Sequence, residues 1–241
     1  MIVQIQEVRK ILKDTDKIVV LTGAGISAES GIPTFRSNNG LWEKFNLEEL
    51  ATPQGFYKNP RKVWQWYNER RKSILSAFPN KAHYKLAELE SKKNFFYIIT
   101  QNIDGLHQKA GSKKVIEFHG NIFREKCTKC SYKTYNEKIY EELPPICPKC
   151  NNLLRPDIVW FGENIPEDVY VQSYEIVEKA EVLLYIGTSA VVYPAAHFIE
   201  QSIYRGKIVI EINLEKTQYS DLVNFSLTGR ASEIIESITK I

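Results

Sequence analysis

Short runs of apolar and β-branched residues recur along the chain, and polar or turn-forming residues separate them. Such runs predict buried strands, since a parallel strand covered on both faces shows no alternation with polar residues. The predicted strands cover residues 17–21, 95–99, 115–118, 157–161, 182–186 and 207–212. Apolar residues at helical spacing predict helices over residues 1–16, 83–91, 169–180 and 195–204. This alternation predicts an α/β fold with a doubly wound parallel sheet.

Two segments interrupt the alternation of strands and helices. Residues 47–78 have a helical pattern and are rich in aromatic side chains, whereas residues 127–150 are polar and contain four cysteines. We expect both segments to be insertions between strands of the sheet. Together they would form a second, smaller lobe.

Composition and charge limit the classes of protein that need to be considered. The 241 residues suffice for one large domain, and a net charge of +3 argues against binding nucleic acid or membranes by bulk charge. Residues 1–16 have the pattern of an amphipathic helix rather than a signal peptide. The apolar stretch 182–199 is interrupted by Gly187, Thr188 and Pro194, unlike a membrane span. We therefore expect a cytoplasmic protein.

The turn after the first predicted strand is rich in glycine. Gly23, Gly25 and Ala28 have the G-x-G-x-x-G/A spacing that lets a backbone approach a pyrophosphate, although a glycine-rich turn without a ligand fits the same residues. The acidic residue that a dehydrogenase carries about 20 residues further on is missing. Arg36 follows instead, and its guanidinium suits either a phosphate or a surface ion pair.

The four cysteines form two C-x-x-C pairs, Cys127 with Cys130 and Cys147 with Cys150, with 16 residues between the pairs. This spacing is typical of a zinc site with four thiolate ligands. Two redox-active pairs or two disulfides are the alternatives, and a reducing compartment disfavours disulfides. Because four protein ligands leave no open coordination position, we predict one structural zinc ion.

Polar residues follow two of the predicted strands. Gln101, Asn102 and Asp104 come after the second strand, and His119 comes after the third. The carboxyl ends of parallel strands are where open α/β sheets bind ligands. A turn that caps the next helix explains the first group as well, and a structural role explains a lone histidine. As a functional group, His119 suits a general base near neutral pH.

Taken together, these motifs resemble the sirtuin (Sir2) family of NAD-dependent protein deacylases. The resemblance is carried by Gly23-Ala-Gly-Ile-Ser27, Gly31-Ile-Pro-Thr-Phe-Arg36, Thr100-Gln-Asn-Ile-Asp104, His119-Gly120, the four cysteines, Arg155-Pro-Asp-Ile-Val-Trp-Phe-Gly-Glu163, Gly187-Thr-Ser189, Glu211-Ile-Asn-Leu-Glu215 and Gly229-Arg-Ala231. It implies a single catalytic domain over residues 1–241. Within it, residues 1–44, 79–122 and 155–241 would form a Rossmann-type large lobe, residues 45–78 a helical module and residues 123–154 a zinc ribbon.

The resemblance also implies which residues form the site. The NAD co-substrate would be bound by Gly23, Ala24, Gly25, Ser27, Phe35, Arg36, Trp42, Gln101, Asn102, Ile103, Asp104, Gly187, Thr188, Ser189, Asn213, Leu214, Glu215 and Ala231. His119 would be the catalytic base. The acylated peptide would add as a strand to the backbone of Val159, Trp160, Phe161 and Gly162.

A pair of residues in the helical module points to the acyl group. Tyr67 and Arg70 share one face of a predicted helix, and a phenol with an arginine fork suits a carboxylate. A packed tyrosine and a solvated arginine explain the same pair. With the small Ala51 upstream, the pattern is similar to the class III sirtuin branch, which removes succinyl, malonyl or glutaryl groups. The implied reaction removes acetyl and such acidic acyl groups from lysine, giving nicotinamide, free lysine and O-acyl-ADP-ribose.

Two other functions fit parts of the sequence. Transfer of ADP-ribose to protein would use the same cleavage of NAD, and a zinc ribbon with nearby lysines fits a non-enzymatic module that binds nucleotides or nucleic acid. Glutamates interspersed with those lysines favour a solvated face instead. The expected partners are acylated-lysine proteins or peptides, without membrane or direct nucleic-acid binding. The sequence leaves the oligomeric state open, with a monomer as the expectation.

Overall fold

The computed structural model describes residues 2–34 and 46–240, and the chain folds into two compact units. The first unit extends to Gly31 and adds Phe78–Phe118 and the chain from Pro166 onward. The second contains the described part of residues 32–77 together with His119–Ile165. The described residues 32–34, 119–122 and 155–165, which were expected in the large lobe, lie in the second unit.

Within the described residues, the strands are β1 (Lys17–Thr22), β2 (Phe95–Thr100), β3 (Val115–Glu117), β4 (Gly120–Cys127), β5 (Lys133–Tyr135), β6 (Leu154–Ile158), β7 (Val182–Ile186), β8 (Ile208–Asn213) and β9 (Phe225–Thr228). The helices there are α1 (Ile2–Asp14), α2 (Gly25–Ala28), α3 (Leu47–Leu50), α4 (Pro53–Lys58), α5 (Pro60–Leu75), α6 (Lys81–Ser91), α7 (Leu106–Lys109), α8 (Glu167–Lys179), α9 (Ala195–Tyr204) and α10 (Ala231–Ile238).

The first unit is built on a six-stranded sheet with the order β3-β2-β1-β7-β8-β9, in which every neighbouring pair is parallel. The chain moves from β1 to one edge and later returns to the other side of β1 with β7. Ligands of open α/β sheets bind at the carboxyl ends of the strands where the strand order reverses. The predicted doubly wound parallel sheet is confirmed, and its reversal lies between β1 and β7.

Helices cover both faces of this sheet. Ile18 and Val20 of β1 belong to a core cluster with side chains of α1, α6 and α10. Val19 and Leu21 are equally buried and point to the opposite face, where α8 and α9 contact the strands. Each fully buried aliphatic side chain of this size stabilises the fold by roughly 1.5–3 kcal/mol. Burial on both faces is the reason why the strand shows no polar alternation.

Three helices of the second unit, α3, α4 and α5, confirm the helical pattern predicted for residues 47–78. Side-chain hydrogen bonds cap the starts of α4 and α5 and so separate the helices of this segment. The Thr52 hydroxyl accepts a hydrogen bond from the Gly55 N–H at 3.0 Å, and the Asn59 carbonyl oxygen accepts one from the Lys62 N–H at 3.0 Å. Both residues are N-caps that satisfy backbone donors of a first helical turn.

The strands of the second unit form an antiparallel sheet of order β5-β4-β6. The prediction of a parallel strand over residues 157–161 is therefore wrong, since β6 ends at Ile158 and pairs antiparallel with β4. The apolar pattern did not predict β4, which supplies the partner strand. An apolar run alone does not reveal the strand with which it pairs.

The apolar stretch 182–199 contains β7 and the start of α9. Over residues 2–34 and 46–240, no helix combines the length and the apolar character that crossing a membrane requires. The pattern also missed β9, which is the edge strand opposite β3, and the last helix α10, which packs against α1 and α6.

Candidate active site

Two glycine turns meet at the carboxyl ends of β1 and β7. The Gly25 N–H donates to the Gly187 carbonyl oxygen at 2.8 Å, and the Gly23 N–H donates to the Ile186 carbonyl oxygen at 3.0 Å. A Cβ atom on Gly25 would lie 2.6 Å from the Gly187 Cα atom, and Gly187 itself has a positive φ of 60°. The contact is therefore made backbone to backbone, which only glycine allows on both sides.

A buried polar cluster, formed by Ser27, Asn102 and Asp104, lies beside these turns. The Ser27 hydroxyl donates to Asp104 Oδ2 at 2.8 Å, and Asn102 Nδ2 donates to Ser27 Oγ at 3.1 Å. Asp104 Oδ1 accepts the Leu106 N–H at 2.9 Å and so also caps the start of α7. The interpretation of this segment as a turn that caps the next helix therefore applies to Asp104, and its role in ligand binding stays a prediction. An amide and a carboxylate held in this way can orient a ligand and stabilise positive charge on it.

A second network links the strand ends behind this polar cluster. His107 Nε2 lies 3.0 Å from Thr22 Oγ1, and the Thr22 hydroxyl donates to Thr100 Oγ1 at 2.8 Å. Thr100 Oγ1 also accepts the Asn102 N–H at 3.1 Å. The backbone at Asn102 is therefore tied to both β1 and α7. The sequence analysis did not predict this network.

The other predicted NAD-binding residues divide into three groups. Gln101 joins the turns, because its Nε2 donates to Thr188 Oγ1 at 3.0 Å. Residues of the second group follow β1 (Ala24), β2 (Ile103) and β7 (Ser189), end or follow β8 (Asn213, Leu214 and Glu215), or begin α10 (Ala231). Phe35, Arg36 and Trp42 lie outside the described residues. The glycine turns and the polar cluster fit a dinucleotide, since close backbone approach and polar side chains occur at one edge of the sheet.

His119 belongs to the second unit, where it directly precedes β4. Its side chain is half-buried, and its carbonyl oxygen accepts the Val159 N–H at 3.0 Å. The neighbouring Gly120 has a φ of 84°, and a Cβ atom there would lie 2.1 Å from the Asp157 carbonyl oxygen. Gly120 is therefore required by the close approach of β4 and β6.

The segment predicted to bind the peptide leaves β6 as an irregular turn. The Phe161 N–H donates to the carbonyl oxygen of Ala51 at 3.0 Å, and Gly162 has a φ of 85°. The Phe161 side chain is exposed, whereas that of Trp160 is 2% exposed. Trp160 thus contributes its backbone to this segment while its side chain points into the second unit.

Tyr67 and Arg70 lie together on α5. The Tyr67 side chain is 1% exposed, and the Arg70 guanidinium lies 5.9 Å from its ring centroid and 4.7 Å from that of Trp66. Burial raises the pKa of the Tyr67 phenol, and the positive charge of Arg70 opposes this rise. At neutral pH the pair therefore offers a protonated phenol and a guanidinium, which are both hydrogen-bond donors suited to a carboxylate.

The four cysteines converge in the zinc ribbon. Their Sγ atoms all lie within 4.8 Å of one another, with 3.4 Å between Cys127 and Cys150 and 3.7 Å between Cys130 and Cys147. Tetrahedral zinc with Zn–S bonds of about 2.3 Å requires separations of about 3.8 Å. The N–H of Lys129 donates to Cys127 Sγ at 3.3 Å, as expected for a thiolate ligand. The predicted Cys₄ site fits zinc, and four sulfur ligands leave it no role in catalysis.

Comparison with known proteins gives the family. The sequence model of the Sir2 family matches residues 23–194. The NAD-dependent protein deacylase of Pyrococcus furiosus is 50% identical over 241 residues, which cover 97% of this chain and 96% of that protein. The chain belongs to the Sir2 family.

Solved Sir2 structures share the fold. The crystal structure of a Sir2 homologue–NAD complex is 44% identical with a TM-score of 0.92, covering 98% of this chain and 92% of that chain. A Sir2 mutant with a deacetylated p53 peptide and 3′-O-acetyl ADP-ribose is 37% identical with a TM-score of 0.90, covering 98% and 97%. The expected family and fold class, a Rossmann-type sheet with a helical module and a zinc ribbon, are confirmed.

One arrangement in this Sir2 protein was not predicted at all. Arg155 and Glu163 form a bidentate ion pair, with 2.6 Å from Nη1 to Oε1 and 2.8 Å from Nη2 to Oε2. Both residues end the motif that supported the resemblance, but no role was assigned to either. Arg155 lies in β6 and Glu163 lies beyond the end of that strand, so the periodicity of a single element does not reveal the contact.

Proposed function

We propose that this Sir2 protein is an NAD-dependent protein-lysine deacylase that removes acetyl and acidic acyl groups. The polar cluster carries the proposal, because it places an amide and a carboxylate beside the glycine turn at the carboxyl ends of the strands. Family membership supports it, and the relative from Pyrococcus furiosus bears the name NAD-dependent protein deacylase.

The residues of the chain have separate tasks in this reaction. When bound, NAD supplies an ADP-ribosyl group that accepts the acyl oxygen as nicotinamide departs. The turn that contains Gly23 and Gly25 binds the pyrophosphate through its backbone, while Asn102 and Asp104 orient the ribose and stabilise the positive charge that develops there. His119 takes a proton from a ribose hydroxyl as general base. With one water consumed, the products are nicotinamide, the free lysine amine and O-acyl-ADP-ribose.

The peptide and its acyl group would be held by the second unit. The backbone of Val159, Trp160, Phe161 and Gly162 pairs with the substrate main chain, which gives affinity with little demand on sequence. The Tyr67 phenol and the Arg70 guanidinium bind the distal carboxylate of a succinyl-type group. Ala51 completes the expected acyl-binding pattern with its small side chain.

The decisive experiment offers one peptide, carrying acetyl-, succinyl-, malonyl- or glutaryl-lysine, to the wild type and to variants with NAD. Arg70→Met should lower kcat/KM for the succinyl peptide by about 10–100-fold, the loss of a charge-assisted hydrogen bond, and that for the acetyl peptide far less. His119→Ala should lower turnover of every peptide by at least about 100-fold.

Arg61→Met is the matched control, because Arg61 is exposed on the same helix. Equal losses on both peptides in Arg70→Met would refute the acidic-acyl assignment. Turnover without NAD, full activity of His119→Ala, or labelled ADP-ribose retained on the protein would refute the deacylase reaction.

We also propose that the protein acts in the cytoplasm, as a monomer on acylated protein lysines. Four free cysteines placed to ligate one zinc ion are typical of a reducing compartment, which supports this location. Size-exclusion chromatography with light scattering tests the monomer, and a stable dimer at micromolar concentration would contradict it.

A further inference from the structure

The indole of Trp160 contacts the phenol of Tyr67. Trp160 Nε1 lies 2.8 Å from Tyr67 Oη, and both side chains are almost completely buried. An indole nitrogen can only donate a hydrogen bond, whereas a phenol oxygen can donate or accept. Trp160 is therefore the donor of this hydrogen bond, and Tyr67 is the acceptor.

This hydrogen bond determines what Tyr67 can still do. Because the indole N–H occupies an acceptor direction of the phenol oxygen, the hydroxyl proton is directed away from Trp160. Burial raises the pKa of Tyr67, so the hydroxyl keeps this proton at neutral pH. Tyr67 is thus left with one proton to donate and Arg70 beside it, 5.9 Å from its ring centroid.

An ion pair holds the indole in place. The Arg155 guanidinium carbon lies 3.4 Å from the centroid of the Trp160 ring, a short cation–π contact. Glu163 binds that guanidinium through both carboxylate oxygens. Its Oε2 also accepts a hydrogen bond from the backbone N–H of Trp160 at 2.9 Å. On another side the indole contacts the Phe56 ring, with 5.3 Å between centroids. Backbone and ring of Trp160 are therefore both fixed by the same two charged residues.

We propose that Trp160 is a positioning residue for acidic acyl groups: its indole N–H, held by Arg155 and Glu163, fixes Tyr67 as an acceptor so that the phenol donates its own proton to the acyl carboxylate. The inference rests on the proposed function of Tyr67 and Arg70. It adds a side-chain task to a residue whose expected part in substrate binding was its backbone alone.

The test replaces Trp160 with Phe, which keeps an aromatic ring but removes the N–H. The ratio of kcat/KM for a succinyl-lysine peptide to that for the butyryl-lysine peptide, an acyl chain of equal length without the carboxylate, should fall by about 5–10-fold. The fall should appear mainly in KM for the succinyl peptide, because the lost interaction binds a part of the substrate that does not react.

Trp64→Phe is the matched control for a buried tryptophan. Trp64 is also fully buried, and its Nε1 donates to the Leu154 carbonyl oxygen at 2.8 Å instead of to Tyr67. We expect this variant to lose stability without changing the succinyl-to-butyryl ratio. A similar fall of the ratio in Trp64→Phe would show that general loosening of the second unit is the cause.

A double-mutant cycle isolates the contact. In a Tyr67→Phe background, which lacks the acceptor, Trp160→Phe should change the ratio by less than about 2-fold, since the two residues act through one hydrogen bond. Equal effects of Trp160→Phe with and without the Tyr67 hydroxyl would overturn the inference.

The two proposals fail in different ways. If the wild type does not turn over succinyl-lysine, or if Arg70→Met leaves the ratio unchanged, the proposed acyl selectivity fails. If Arg70→Met and Tyr67→Phe lower the ratio but Trp160→Phe does not, only the positioning role of Trp160 is overturned.

Discussion

His83 and His107 are buried side chains whose ring centroids lie 4.9 Å apart. Burial lowers the pKa of His83 to about 4, and burial together with the nearby His83 lowers the pKa of His107. His83 Nδ1 accepts the Asn80 N–H at 3.3 Å and His107 Nε2 contacts Thr22, so both rings serve the fold in their neutral form. Neutral rings are the state that burial favours.

This pair predicts an acid-sensitive fold. Because the pKa of each histidine is lower in the folded than in the unfolded chain, the unfolded chain binds the proton more readily. The stability contributed by the neutral rings is therefore complete above pH 6.5 and is lost as the pH falls towards 4. For His83 alone we expect the free energy of unfolding to fall by roughly 3 kcal/mol across that interval, as measured by urea titrations.

His83→Gln provides the control for this pH dependence. Glutamine can accept the Asn80 N–H as the third helical residue of a capping box, but it does not titrate. The variant should therefore show a shallower loss of stability above pH 4. A slope equal to that of the wild type would assign the acid sensitivity to other groups.

At the scale of elements, helix α5 is anchored to the zinc ribbon by Arg71. Its Nη2 lies 2.8 Å from Glu125 Oε1 with both side chains fully buried, and its Nε donates to the Ile122 carbonyl oxygen at 2.9 Å. The Tyr140 hydroxyl donates to the other oxygen of Glu125 at 2.9 Å. Arg71, which is adjacent to Arg70, thus fixes the helix that carries Tyr67 and Arg70, the proposed acyl-binding pair.

Breaking this ion pair should destabilise the protein strongly. In Arg71→Met, Glu125 would stay buried without its counter-charge, and we expect a loss of about 3–5 kcal/mol in the free energy of unfolding. Chemical denaturation measures this loss. The double variant with Glu125→Leu should recover part of it, because both charges are then absent, and a loss below about 1 kcal/mol in Arg71→Met would contradict the interpretation.

The elements show where sequence patterns suffice and where they fail. The strands β1, β2, β7 and β8 were predicted because burial on both faces leaves continuous apolar runs. The run at residues 157–161 is equally apolar, yet Trp160 is buried outside any strand against Tyr67 and Arg155. A run of apolar residues predicts that the segment is buried, but it does not predict whether the segment is a strand or a turn.

At the scale of the whole molecule, the zinc ribbon is expected to depend on its metal. The Sγ atoms of Cys127, Cys130, Cys147 and Cys150 join two chain segments, and binding energy at such sites contributes directly to folding. We expect one zinc ion per chain by elemental analysis. Removal of zinc by a strong chelator should lower the melting temperature, and added zinc should restore it.

Hydrogen exchange locates this effect. After zinc removal the amides of β4 and β6 should exchange faster, whereas those of β1 and β7 should keep their protection, because the core cluster around β1 and β7 lies within the first unit. Cys147→Ser should behave like the chelated protein. A chain that contains no metal and melts unchanged with chelator would contradict a structural zinc site.

The sequence by itself determined the family, the parallel sheet, the zinc ligands and the residues of the polar cluster. These features depend on spacing along the chain, as in the two C-x-x-C pairs, or on the rule that strand ends carry ligand-binding residues. Features of this kind can be recognised from the sequence without the structure.

Only the tertiary structure decided how β6 pairs, why Gly120 is a glycine and what the Trp160 side chain contacts. Each answer depends on a partner distant along the chain: β4 for β6, the Asp157 carbonyl oxygen for Gly120, and Tyr67 for Trp160. Hydrogen bonds are directional and close-packed contacts are specific, so these partners are determined only when the elements pack together. Such contacts produce no periodic pattern in the sequence.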